Sequence, residues 1–551
     1  MDATRNRSDQ RARHFRLILL WPLQLIPVGD GLPIQKHWEL LEKGGENSPW
    51  SEVIDEIRGD PSRFQVRHYS EFVTFLPHVQ RFLYGQGKAI AAGGAAGEPR
   101  VRVFRRKDMA RARLTYDDDT STVFDVAHVD LYFFLDIDIV ILAFEIYTDD
   151  IELSRAQDTL QRFGQAYPRL WDEKGGGGNC PKRVEWLGHQ GQVLAVSDYE
   201  ARNKYLSFVY AYRTPRIASH WEYVLHPLVP DDSGQPGLIR YRQIEYHRMP
   251  VMGYLAFDDP WQLTRADFVR LVLLAGPAEA DVLPYSERYL QDFEYRYCYD
   301  RFWSTQLGQS AARFMCSGQA LAAIGHCGDK AFVDAETGVL GQFRHQHFLL
   351  FLITHFHKAA LLMLSDRLAL ALNRLDIHSA ESIRLFKRRI RELLGVFLRF
   401  THRYWFHDIS NQALAKDLFR MCADHLETDR LFAEVREEIE DMSGYLDSDS
   451  LRRQGNTIVR LTVVTTFGLV ATVTTGFLGM NLIAAADSAP VEKLAYFLVV
   501  VIPTVWLILY SVVKSKRLSD FLEALSDDKL TCAAKAWAFL AIWKRKRGRP
   551  R

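Results

Sequence analysis

The chain has 551 residues, a formal charge of +1, 48% hydrophobic and 25% charged residues. These values exclude a disordered chain, a strongly basic nucleic-acid binder and a protein built mostly of membrane spans. They allow roughly two to four domains with a sizeable core, and whole-chain averages of this kind can conceal a local exception. The six cysteines (Cys180, Cys298, Cys316, Cys327, Cys422 and Cys532) form no CxxC pair. Neither a disulfide framework nor a zinc ribbon is expected, and a reducing compartment fits better.

Residues 1–16 carry Arg5, Arg7, Arg11, Arg13 and Arg16 and read as a disordered basic tail. The apolar run from Leu17 to Pro27 is interrupted by Pro22 and Gln24 and lacks a small-residue cleavage site, so a β-strand is expected rather than a signal peptide. Residues 17–330 read as a cytoplasmic α/β domain with a mixed sheet. A flexible connection is expected at 89–99 and a helix at 151–166. Strands are expected at Val101–Arg105, Ala110–Tyr116, Val123–Leu135, Ile139–Tyr147, Val193–Ser197, Tyr205–Tyr212 and Arg240–Tyr254. Asp117-Asp118-Asp119 and Asp136-Ile137-Asp138 punctuate the strands as turns. Gly175–Gly178 lacks the following Lys-Ser/Thr of a phosphate cradle, so no nucleotide site is expected there.

Residues 331–456 read as a helical stalk region. The run Phe348–Ile353 tempts a membrane assignment, but Arg344, His345, His347, His355, His357 and Lys358 leave the clean stretch too short, and a core helix is expected. Neither 345/347 nor 355/357 shares a helical face, which argues against a metal site. Ser379–His407 reads as a second helix. From about Asn411 the pattern continues without proline for roughly 70 residues, about 105 Å of helix, with Gly444 and Gly455 as weak points. Its acids, Glu434, Glu437, Glu438, Glu440, Asp441, Asp447 and Asp449, form either a solvated face or a cation site between subunits.

The local exception lies at the C-terminal end. No charged residue occurs from Leu461 to Ala486, nor from Leu494 to Val513. Each stretch is long enough to cross a bilayer, giving two transmembrane helices, 457–482 and 494–513, in a hairpin with a short outer loop. Arg452, Arg453 and Arg460 precede the first, and Lys514, Lys516 and Arg517 follow the second. The positive-inside rule then places both termini in the cytoplasm. The first span carries Thr462, Thr465, Thr466, Thr472, Thr474 and Thr475. Gly468, Thr472 and Gly476 form one small-residue row, and Ala471, Thr475 and Gly479 the next. Such rows favour close helix approach, so the span needs helical partners, and one row is free to line a pore. The second span is bulky and aliphatic, as a lipid-facing helix would be.

The first span closes on Gly479-Met480-Asn481. This triplet, at the end of the first of two C-terminal spans and behind a long helix, resembles the CorA-type divalent-cation transporter superfamily. The resemblance covers roughly residues 400–517. It implies that Gly479, Met480 and Asn481 form the ion-selecting outer mouth and that Asn481, Gly476, Thr472, Leu469, Leu461 and Ile458 line the pore. It further implies a homopentamer. Stepping inward from Asn481 by the helical period also reaches Thr472, Leu461 and Ile458. Two departures stand out: Leu478 precedes the triplet where many members carry an aromatic residue, and the outer loop offers only Asp487 and Glu492 as acids.

Physical chemistry supports such a pathway. Mg²⁺ dehydrates reluctantly, so neutral oxygens such as the Asn481 amide suit the outer waters of the hydrated ion. The spans hold no charged side chain, which argues against a proton relay. The expected function is therefore divalent-cation transport, most simply of Mg²⁺, in the inner or plasma membrane. No enzymatic activity, cofactor or nucleic-acid partner is expected; the expected partners are membrane lipid, divalent cations and further copies of the chain. Two alternatives are a Zn²⁺ transporter of the same superfamily and a membrane-tethered cytoplasmic sensor or scaffold. Residues 514–551 read as a basic cytoplasmic tail, either lying on anionic lipid or unstructured.

Overall fold

The computed structural model describes residues 10–26, 36–42, 48–54, 64–86, 99–173, 175–232, 234, 237, 239–244, 248–278, 282–376, 379–479 and 489–526. Among them fourteen strands form one mixed sheet. They are β1 (Arg11–Ile26), β2 (Trp50–Glu52), β3 (Val101–Arg106), β4 (Met109–Thr115), β5 (Ser121–Phe134), β6 (Ile139–Glu152), β7 (Arg183–Gly188), β8 (Val193–Val196), β9 (Val229–Pro230), β10 (Arg240–Gln243), β11 (Val251–Phe257), β12 (Cys298–Tyr299), β13 (Ala312–Ser317) and β14 (Ala320–His326). The main path runs β12-β13-β14-β11-β1-β6-β5-β4-β7-β8. β11 pairs β14 in parallel, as β10 does β9, while β1 lies antiparallel to both β6 and β11.

The central strand explains the first correction. β1 starts at Arg11, inside the stretch expected to be a disordered tail. Its arginines are placed by acids on neighbouring elements: Arg11 by Asp150 at 3.0 Å, Arg13 by Asp258 at 2.7 Å, and Arg16 by Glu145 at 2.9 Å. Pro22 does not break the strand. β1 pairs β11 up to Leu19 and β10 from Leu23, so Pro22 falls in the gap between two ladders, where no N–H is called for. The expected turns are present, and Asp119 and Asp136 adopt the left-handed conformation that aspartate tolerates.

The helices that matter below are α1 (Val66–Thr74), α2 (Pro77–Tyr84), α3 (Leu153–Arg162), α4 (Arg202–Tyr212), α5 (Ser219–Leu225), α6 (Arg265–Leu273), α7 (Phe348–Asn373), α8 (Ala380–Arg403), α9 (Ala413–His425), α10 (Thr428–Gly479) and α11 (Pro490–Ser526). On one side of the sheet an aromatic cluster fills the core. Trp186 and Trp221 meet at 5.3 Å, and Phe144 and Trp186 at 4.9 Å. The Trp221 indole donates to the Gln165 carbonyl at 3.0 Å. Elsewhere α7 supplies Phe356, stacked on Phe134 of β5 at 3.9 Å.

Burial settles the role of α7. Phe348, Leu350, Phe351, Leu352 and Ile353 are buried, as the core-helix reading expects. The helix is apolar nearly all round because it is covered nearly all round. α7 contacts β1 and β6 and packs on α8 and α9. The first part of the helical region therefore belongs to the same compact unit as the sheet, Met1–Asp441, and the second unit is Met442–Arg551.

Three further expectations are corrected. Tyr205–Tyr212, expected as a strand, lies in helix α4. Its β-prone residues have no sheet partner there, and Tyr205 is instead tied to Asp198, a carboxylate that also binds Lys204, Arg216 and Ser219. Arg240–Tyr254 is two strands, β10 and β11, with different partners. The roughly 70-residue helix is broken between α9 and α10, where Glu427 takes a φ of 52°. Neither glycine nor proline marks that break. Long-range contacts fix it, including His425 Nε2 to the Arg296 carbonyl at 2.7 Å. The strands β7, β13 and β14 had no sequence expectation; they are short and buried on both faces, so no alternation marks them. The five described cysteines are free thiols.

Candidate functional site

Helix α10 runs for 52 residues, about 78 Å at 1.5 Å per residue. Of the expected ion-pathway residues it carries Ile458, Leu461, Leu469, Thr472, Gly476 and Gly479. At about 100° per residue these six fall within an arc of about 100°, which also holds Thr465 and Gly468. All are exposed in the single chain: Ile458 at 64%, Leu461 at 63% and Leu469 at 54%. Val470 is half-buried and Thr474 only 3% exposed, and both point roughly opposite the arc. The candidate stripe is bare, and so are Ala471, Val473, Thr475 and Phe477 outside it; among the described residues from Leu461 to Gly479 only Val470 and Thr474 are covered.

The hydroxyls on this helix have a defined polarity. Thr465 Oγ1 donates to the Leu461 carbonyl, Thr472 Oγ1 to Gly468 and Thr475 Oγ1 to Ala471, each at 2.9 Å. Such back-bonding directs the hydroxyl proton to the backbone and turns oxygen lone pairs outward. For Thr472, on the exposed stripe, the outward oxygen is an acceptor. Added Cβ atoms at Gly468, Gly476 and Gly479 would meet nothing within 4 Å. The small-residue rows are therefore not filled from within one chain. Thr474 is the opposite case: its buried hydroxyl has no hydrogen-bond partner among the described residues.

Met480, Asn481 and Asp487 lie outside the described residues. Glu492 is exposed in the first turn of α11. That helix contains Pro503 and extends to Ser526, past the expected limit of the second span. Among the described residues, two helical stretches are long and apolar enough to cross a membrane, Val339–Asn373 and Pro490–Leu507. The first is mostly buried in the sheet-bearing unit, whereas the second is uncovered. In α10 the described apolar stretch is Gly468–Phe477, ten residues. The longer charge-free run of the first span, Leu461–Ala486, is a property of the sequence.

No group of three or more histidine, cysteine or carboxylate side chains is placed to hold a metal among the described residues. The acids near the start of α10 are exposed, and some pair along the helix: Arg430 with Glu434 at 3.0 Å and Arg436 with Glu440 at 3.3 Å. The side chains of Asp447 and Asp449 lie outside the description. The histidines of α7 and the turn before it also disperse. His345 faces Glu71 at 3.3 Å, His357 contacts the Tyr404 carbonyl at 2.6 Å, and His347 and His355 are sealed in the core. Burial pushes the pKa of His347 and of His357 down to about 4, so both are neutral core groups at pH 7.

The sheet-bearing unit also holds a charge cluster that the sequence did not announce. Arg16 and Arg344 converge on Glu145, at 2.9 and 2.8 Å. Burial alone would raise the Glu145 carboxyl, but the guanidiniums, Arg344 foremost, hold it below its ordinary value. Arg105 grips Asp130 with two bonds of 2.7 and 2.8 Å. These residues come from β1, β3, β5, β6 and the turn before α7, and such sequence separations leave no local signal. Comparison with protein-family models and with curated proteins returns no match for this chain.

Proposed function

We propose that the chain forms a divalent-cation pathway of the CorA type, most simply for Mg²⁺, from several copies arranged around an axis. The observation that carries this reading is the bare stripe on α10. It combines small residues, an outward hydroxyl oxygen at Thr472 and apolar side chains at Leu461 and Ile458, on the side away from Val470 and Thr474. One helix encloses nothing, so a stripe of this kind functions only when repeated by symmetry.

In this reading Thr472 oxygens accept hydrogen bonds from the waters of a hydrated cation. The ion keeps its inner shell, whose removal is costly for Mg²⁺. Asn481, beyond the described residues, supplies neutral amide oxygens at the outer mouth. Leu461 and Ile458 narrow the cytoplasmic end, where an apolar ring gates by losing its water. The absence of charge along the sequence of the span keeps binding weak enough for release.

The test is metal-specific flux into proteoliposomes containing the full chain, comparing Mg²⁺, Zn²⁺, Co²⁺ and Ni²⁺. Asn481→Ala is expected to reduce Mg²⁺ flux at least about tenfold, and Thr472→Val by a smaller factor, with the sheet-bearing unit still folded. Preference for Zn²⁺ would reassign the cargo within the same superfamily. A chain that moves no divalent ion and runs as a monomer or dimer in detergent would instead be a tethered sensor or scaffold.

A further inference from the structure

The sheet-bearing unit has a concave feature of its own, away from the stripe on α10. A cavity of about 470 Å³ opens between α2 and the loop that joins α8 to α9. Its walls are held by backbone and side-chain bonds. Leu76 N donates to the Ile409 carbonyl at 2.8 Å, Phe75 bridges Ser410, and the Tyr404 hydroxyl donates to the Leu135 carbonyl. Phe82 and Phe406 give it an apolar floor, with ring centroids 5.5 Å apart. The site is built from long-range contacts and does not depend on one mobile side chain.

Its charge is one-sided. Three guanidiniums line it, those of Arg81, Arg100 and Arg403. Arg403 is balanced by Asp136 at 3.0 Å. Arg81 and Arg100 have no carboxylate partner among the described residues; Arg100 lies 6.0 Å over the Tyr404 ring. The one lining acid, Asp408, is already shared by Lys416 and Arg420, each at 3.3 Å. Three exposed imidazoles, His78, His402 and His407, complete the rim. By contrast, Arg16, Arg105 and Arg344 of this unit are each matched to an acid. Two guanidiniums without a carboxylate partner among the described residues thus line one cavity with an apolar floor.

We propose that this cavity binds a phosphate-bearing anion. Guanidinium groups match phosphate oxygens in pairs, and imidazoles add neutral or charged N–H donors at the rim. The volume lies in the range of small-molecule sites and exceeds the need of a lone inorganic phosphate. The ligand class is therefore an organic phosphate or diphosphate, either soluble or the headgroup of an anionic lipid. The proposal stands apart from the cation-pathway reading and does not depend on it.

Calorimetric titration of the detergent-solubilised full chain tests it with three probes: pyrophosphate, ADP and soluble dihexanoyl phosphatidate. Binding of pyrophosphate or ADP assigns a soluble source, and binding of phosphatidate alone assigns a lipid headgroup. Arg81→Ala and Arg100→Ala should each weaken the binding at least about tenfold. Arg384→Ala, on the exposed face of α8 and outside this cavity, should leave it unchanged. Arg81 is exposed, so its variant keeps the core intact even where Arg100→Ala fails to fold. No binding of any probe at millimolar concentration, or binding unaltered by Arg81→Ala, would overturn the proposal.

Discussion

In Met1–Asp441 the large apolar side chains turn inward: Trp186 and Trp221 are fully buried, and Phe144 and Phe163 pack against both. In the C-terminal helices the same kinds of side chain face out, with Ile458 at 64%, Val499 at 69% and Trp506 at 67% exposure. Charge behaves in the complementary way. The sheet-bearing unit buries Glu145, Asp138 and Arg313 inside matched networks, whereas the sequence from Leu461 to Ala486 carries no charge at all. A protein in water buries apolar groups and matches any charge that it buries. In the proposed function, lipid and further copies of the chain cover the helices that do neither.

The contrast can be broken by mutation. The largest effect is expected for Trp221→Ala, which empties the centre of the aromatic cluster and leaves the Gln165 carbonyl without its indole donor. A loss of about 3–5 kcal/mol is expected for the sheet-bearing unit, read as a shifted urea midpoint in tryptophan emission. A loss below about 1 kcal/mol would mean that the cluster is not the core it resembles.

Acid should act next. His347 and His357 have a folded pKa of about 4, against 6.5 when exposed in the unfolded chain. Between those values the unfolded state binds more protons, so stability falls as pH drops from 6.5 towards 4. Each histidine contributes up to about 3 kcal/mol of that loss. His347→Leu should flatten the decline in a series of melts between pH 7 and 4.5, and an unchanged slope would remove His347 from the account. The carboxylates with lowered pKa, such as Glu145 and Asp138, weaken the fold only at still lower pH, as they protonate.

The smallest effect sharpens the comparison from the other side. Leu469→Ser on the bare stripe of α10 removes an apolar side chain that the chain itself leaves 54% exposed. Unfolding of the sheet-bearing unit should move by less than about 0.5 kcal/mol. A shift as large as that of Trp221→Ala would mean that Leu469 is covered by the first unit, and the bare stripe would no longer exist.

Much of this architecture was legible because it is local. Alternating runs marked β3–β6, aspartates marked their turns, and the density of apolar residues marked α7. On α10 helical spacing by itself reached Ile458, Leu461 and Thr472, whereas Leu469 and Gly476 joined that stripe through the resemblance to the CorA-type superfamily. The sequence pattern misread Tyr205–Tyr212, because β propensity reports fit to a sheet surface and that segment has none to join. It also ran α9 into α10, because the break at Glu427 carries neither glycine nor proline and is fixed by His425 and its distant partner.

The sequence by itself determined where charge is absent, where a Gly-Met-Asn triplet falls and which residues share a helical face, since each is a matter of spacing along one chain. Only the tertiary structure decided that Arg11–Arg16 belong to the central strand, and that Val470 and Thr474 are the covered residues of the apolar part of α10 among those described. It alone brought Arg81 and Arg100 to one cavity, with no matching acid for either among the described residues. Those facts depend on contacts between residues far apart in sequence, whose energies leave no periodic trace.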